Sequence, residues 1–93
     1  MLATLNMTAE KHAYTLTDRA TFAKFSQTTD KLVILVTDPS LRNQYSFVLL
    51  NKKYCPSVNH DDAAKLKQWL LSTRGQKLIG NFKIAGKNVF KPL

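Results

Sequence analysis

The stretch "KLVILVT", Lys31 to Thr37, is an unbroken run of leucine and β-branched residues. It has no polar side to turn toward water, so it reads as a strand covered on both faces and central in its sheet. Asp38 and Pro39 end the run, "DPSLRNQ" reads as a turn, and "YSFVLLN" from Tyr45 to Asn51 resumes as a second strand. On the N-terminal side, "HAYTLT" from His12 to Thr17 sets small or bulky apolar groups between threonines and reads as a third strand.

Helical patterns interleave with these strands. "DRATFAKFS" spaces Ala20, Phe22, Ala23 and Phe25 as one helix face, with Thr17 or Asp18 as its N-cap. Residues 3 to 11 hold good helix formers with Leu5 and Met7 on the apolar side. Residues 60 to 82 are the clearest helical region, opening with Asp61 and Asp62 where the helix dipole favours acidic groups. Ala63, Leu66, Trp69 and Leu70 share one face, which makes Trp69 a core residue by expectation. Ser72 and Gly75 predict a break into two helices, the second turning Leu78, Ile79 and Phe82 inward. "KIAGKNVFKPL" closes as a hairpin or extended tail around Gly86. Strands alternating with helices give an α/β class, a mixed β-sheet flanked by helices, in a single domain over residues 1–93.

Composition sets outer bounds on function. Lys and Arg outnumber Asp and Glu by 14 to 6, a formal charge of +8, so the favoured partners are anionic: nucleic acid, acidic lipid or a small oxyanion. The start "LATLNMTAEKHAYTL" lacks the pattern of a secretory signal. The run "LVILV" is far short of the ~20 residues needed to cross a bilayer as a helix, so no membrane insertion is expected. Cys55 is the single cysteine, which excludes an internal disulfide and a cysteine-built zinc site. His12 and His60 lack ligating companions, so no metal and no cofactor is expected. Cys55 has no histidine in register, and the Ser, Thr and carboxylate residues form no nucleophile–base or paired-acid arrangement, so the chain is not expected to be an enzyme.

One junction carries candidate chemistry. "YTLTDRATF", Tyr14 to Phe22, gathers Thr15, Thr17, Asp18 and Arg19 where a strand is expected to become a helix. Hydroxyls and free backbone N–H groups at such a point either cap the helix or hold an anion, and the residues alone leave both readings open.

The segments "ATLNMTAEKHAYTLTDRATF", "LVILVTDPSLRNQYSFVLLN" and "AAKLKQWLLSTRGQKLIGNFKIAGKNVFKP" together resemble the C-terminal part of the substrate-binding protein of tungstate-type ABC importers. "AYTLTDRAT" and the "GQKLIGNF…GKNVFKP" ending are the most specific pieces. The resemblance implies a portion of a type II periplasmic-binding-protein-like fold, in which two α/β lobes close on a tetrahedral oxyanion. Residues 1–40 would then resemble second-lobe material and residues 45–93 the return to the first lobe. Nothing in the chain resembles the family's signal peptide or its hydroxyl-rich first-lobe loop. Leu2 stands where a glycine is expected, and "RNQYS" replaces a pattern closer to Asn-Pro-Tyr-Gly.

By the same resemblance, the junction contributes Thr15, Thr17 and the backbone donors of Asp18 and Arg19 to an oxyanion, and Tyr45 donates its hydroxyl. The competing reading of Tyr45 is a half-buried strand tyrosine. The implied partners are tungstate or molybdate, held weakly or not at all by the chain alone, and the importer's permease. The implied compartment is the periplasm by family, and the cytoplasm for a chain expressed without a signal. Exposed sheet edges further predict a homodimer. A different functional class stays open at this point, a small basic module that binds nucleic acid or a protein partner.

Overall fold

Three short packed units carry the regular structure of the chain, and a computed structural model describes all residues from 1 to 93. Helix α1 (Leu2–Lys11) and helix α2 (Arg19–Ser26) pack together, helix α3 (His60–Leu71) packs against helix α4 (Thr73–Asn81), and strands β1 (Lys83–Ile84) and β2 (Lys87–Asn88) form an antiparallel hairpin. Helix α2 also packs against β1, which ties the two ends of the chain into one body. A single 3-10 turn, Pro39–Leu41, lies between them.

Each helix ends where its sequence says it should. α1 stops at His12, which takes the left-handed conformation (φ 51°), while the N–H of Ala13 returns to the Thr8 carbonyl. Thr8 sits on the buried side, and its hydroxyl donates to the Thr4 carbonyl at 2.7 Å, so burial leaves no polar atom unpaired. Ser72 serves as both the C-cap of α3 and the N-cap of α4: its Oγ donates to the Trp69 carbonyl at 2.6 Å and accepts from the Gly75 N–H at 3.1 Å. The corner is tight. A Cβ on Gly75 would lie 2.1 Å from the Trp69 carbonyl oxygen, so only glycine fits without backbone movement. The hairpin turns through Ala85 (φ 53°) and Gly86 (φ 74°), the two positive-φ residues that a two-residue type I′ turn needs.

The core is small. Leu5 (1% exposed), Ala23, Phe25 (2% exposed) and Val89 are its buried apolar side chains, and six of the 93 residues are buried in all. The radius of gyration is 17.6 Å, against about 12 Å for a packed domain of this length.

The mixed sheet expected from the sequence does not form within this chain. The β1–β2 hairpin is the whole of the sheet structure, and His12–Thr17, Lys31–Thr37 and Tyr45–Asn51 are not strands. Neither 32–37 nor 45–50 makes a backbone hydrogen bond. Val33 and Val36 are 72% and 73% exposed, the opposite of a strand covered on both faces. The reason is physical: an apolar β-branched run prefers extended backbone on its own, but it becomes a strand only when a neighbour supplies the ladder, and no other segment here hydrogen-bonds to it. Trp69 likewise departs from its expected core role. It is 44% exposed, and no residue of α3 is buried, although α4 packs along that helix.

Candidate functional site

Asp18 opens α2 with extended backbone (φ −85°, ψ 159°). One of its carboxylate oxygens accepts the Thr21 N–H at 2.8 Å, and the other accepts the Thr21 hydroxyl at 2.7 Å. These bonds from Thr21, the backbone one first, hold the Asp18 carboxyl below the usual carboxylate range, with burial opposing them weakly. Asp38 caps the Pro39–Leu41 turn similarly, and its carboxyl is lowered by the side-chain and then the backbone hydrogen bond of Ser40.

At the 15–19 junction, capping is thus the arrangement realised. The carboxylate of Asp18 already occupies the start of α2, and it brings the negative charge that the helix dipole favours there. The Thr17 hydroxyl donates to the Asp18 carbonyl and the Thr15 hydroxyl to the Leu16 carbonyl, both at a long 3.4 Å. Arg19 is the first helical residue and is exposed. Tyr45 lies in the non-helical segment 42–50. It is 73% exposed, with its ring edge-on to Phe90 at 6.1 Å between centroids, and Phe90 in turn meets Phe82 at 5.9 Å. The structure therefore keeps Thr15, Thr17, Asp18 and Arg19 together as one contiguous junction and sets Tyr45 against Phe90.

Sequence reasoning passed over two features. Thr21 completes the Asp18 cap, and the Asp-x-x-Thr spacing was the signal available for it. His60 sets Nε2 2.7 Å from the Cys55 carbonyl, above an open depression of about 320 Å³ that Lys52, Pro56 and Asp61 also line. That contact is to backbone and not to the thiol, so it creates no nucleophile pair. Leu78, Ile79 and Phe82 do not turn into a core as expected from the sequence: Leu78 and Phe82 are exposed, and the three line, with Phe90, an open, wholly apolar depression of about 270 Å³, since no further element covers that face. No three His, Cys, Asp or Glu residues come together as a metal site. No helix is long and apolar enough to cross a membrane.

The chain is related in sequence to anion-binding proteins of ABC transporters. One such protein, described as an ABC transporter anion-binding protein of Haloferax volcanii, is 34% identical over 95 residues, which cover 96% of this chain and 28% of the relative. More narrowly, the chain is related to the tungstate-binding proteins. TupA of Campylobacter jejuni is 33% identical over 94 residues, 97% of this chain and 35% of the relative, and TupA of Peptoclostridium acidaminophilum is 32% identical over 78 residues. The chain thus spans about a third of the curated relatives it matches. These relatives are named as binding proteins, not as enzymes. No family description and no solved structure matches the chain.

Proposed function

We propose that this chain is the part of an ABC-importer oxyanion-binding protein that supplies one side of the anion site, with tungstate or molybdate as the ligand. The observation that carries the reading is similarity over 97% of the chain to a tungstate-binding protein of which it spans 35%. In this reading Thr15, Thr17 and Tyr45 offer hydroxyl donors, the Asp18 and Arg19 N–H groups offer backbone donors, and the Arg19 guanidinium offsets the Asp18 carboxylate. Neutral donors suit a ligand that has to be released again to a permease, the partner of the whole binding protein in the periplasm.

Because the matched third supplies only part of the donors of the whole site, this chain by itself holds the anion weakly. Each absent hydrogen bond to a charged ligand removes about 1.5–3 kcal/mol, so losing several removes most of the affinity. The deciding experiment is a chimera of the Campylobacter jejuni relative in which this chain replaces the matched third. Calorimetric binding of tungstate in preference to sulfate supports the reading; a folded chimera that binds neither tungstate nor molybdate refutes it. Beyond the net charge of +8, the nucleic-acid alternative has no observation in its favour. Exposed lysines interleave little with aromatics, the one close pairing being Lys53 over Tyr54 at 5.8 Å. The homodimer expected from the sequence is the rival way of covering the exposed extended segments, and solution mass decides that question.

A further inference from the structure

Positive charge is unevenly placed along the chain. Residues 63–93 hold six lysines, one arginine and no Asp or Glu, whereas residues 1–62 hold the other seven cations and all six acids. The last third of the chain therefore carries +7 of the formal charge of +8. It comprises most of α3, all of α4, the hairpin and the tail.

The open apolar depression lies in this same region. Of its walls, Leu78 and Phe82 are 54% and 52% exposed, and Phe82 meets Phe90 at 5.9 Å between ring centroids. Three of the walls have an exposed lysine as chain neighbour: Lys77 precedes Leu78, Lys83 follows Phe82, and Lys91 follows Phe90. The result is an apolar floor with a cationic margin, in a stretch that offers no carboxylate to repel an anion. Lysine stems follow apolar surface while their ammonium groups stay in water, so floor and margin can face one partner together.

Such a partner has to be apolar and anionic at once. A small oxyanion finds no donor on a floor of hydrocarbon. Nucleic acid supplies phosphates but nothing for the aliphatic Leu78 and Ile79, and Phe82 and Phe90 already pair with each other rather than standing free for bases. The surface of a bilayer with acidic headgroups supplies both parts, hydrocarbon for the floor and phosphate charge for the lysines. We infer that the α4, hairpin and tail face of this chain docks on an anionic bilayer surface, with Leu78, Phe82 and Phe90 at the acyl boundary. The chain lies on such a surface and not through it, since no helix is long and apolar enough to cross. This inference goes beyond the oxyanion reading and does not depend on it.

The test is co-sedimentation of the 93-residue chain with phosphatidylglycerol vesicles and with phosphatidylcholine vesicles. Binding to the first only, weakening as salt rises, is the expected result. Each lysine at the surface is worth about fivefold in partitioning, so the triple variant Lys77→Gln, Lys83→Gln, Lys91→Gln should bind about a hundredfold more weakly. These side chains are exposed, and helicity by circular dichroism checks that the fold is kept. The control is Lys11→Gln, Lys24→Gln, Lys31→Gln, which removes the same charge from exposed positions on the other side of the sequence and should change binding far less. Equal losses in the two triple variants would mean that binding follows net charge alone, and would overturn the inference. Leu78→Gln, at an exposed position, should weaken binding severalfold; no change would remove the apolar floor from the interface. Failure to bind phosphatidylglycerol, or binding of duplex DNA that these vesicles do not compete away, overturns it too. The chimera described above presents the same face in a full-length protein: vesicle binding there supports the inference, and its loss would show the face covered by the rest of the chain. Tungstate binding by that chimera bears only on the oxyanion reading, so the two fail separately.

Discussion

Replacing Asp18 with alanine separates the two roles open to the start of α2. The variant loses the bond from the Thr21 N–H at 2.8 Å and the one from the Thr21 hydroxyl at 2.7 Å. Loss of an N-cap costs about 0.5–2 kcal/mol, and loss of a negative charge from the first turn about 0.3–1 kcal/mol, so a decrease of about 1–2 kcal/mol follows. The loss falls where the chain can least absorb it, because α2 is eight residues long and carries Ala23 and Phe25, two of the four buried apolar side chains. In urea, with a slope of about 1 kcal/mol per molar for so small a transition, the midpoint of α2 helicity should fall by about 1 M or more. Asp18→Asn keeps an oxygen acceptor and should retain most of the stability. If Asp18→Ala melts at the wild-type midpoint, the cap contributes nothing and the assignment is wrong. If tungstate then stabilises Asp18→Ala and not the parent chain, the helix start is an anion site that the carboxylate had been occupying.

Other perturbations follow from the same geometry. The folded-state pKa of Asp18 lies below its unfolded value of ~3.9, so its contribution is present above that pH and is lost as pH falls through the lower folded value; the Thr21 amide resonance should shift only below about pH 4. Gly75→Ala drives a methyl into the Trp69 carbonyl and should cost about 1–3 kcal/mol, read as reduced helicity of α3 and α4 in urea. Ala85→Asn puts a residue that tolerates the left-handed region at φ 53° and should slow exchange of the β1–β2 amides, whereas an unchanged rate would show that Ala85 is unstrained there. Phe25→Ala removes a 2%-exposed ring, one of the four buried apolar side chains, and should cost about 3–5 kcal/mol, read as lost helicity of α2 in urea; an unchanged midpoint would show that the ring contributes no packing.

Local signals in the sequence proved legible where the physics is local. Asp18 ahead of "RATFAKFS" announced a cap, Ser72 and Gly75 announced the break between α3 and α4, and Gly86 announced the hairpin, because each is decided by a hydrogen bond or a backbone angle within a few residues. "KLVILVT" and "YSFVLLN" were misread as strands of this chain because strand structure belongs to a pair, and periodicity says nothing of whether the partner is present. Trp69 was misplaced for a related reason: an apolar helix face predicts burial only if something lies against it. The contact of His60 with the Cys55 carbonyl spans a loop of turn formers whose path no spacing rule fixes. Of the candidate site, the Thr15–Arg19 cluster was readable because it is contiguous, while the aromatic neighbour of Tyr45, Phe90, comes from 45 residues further along the chain.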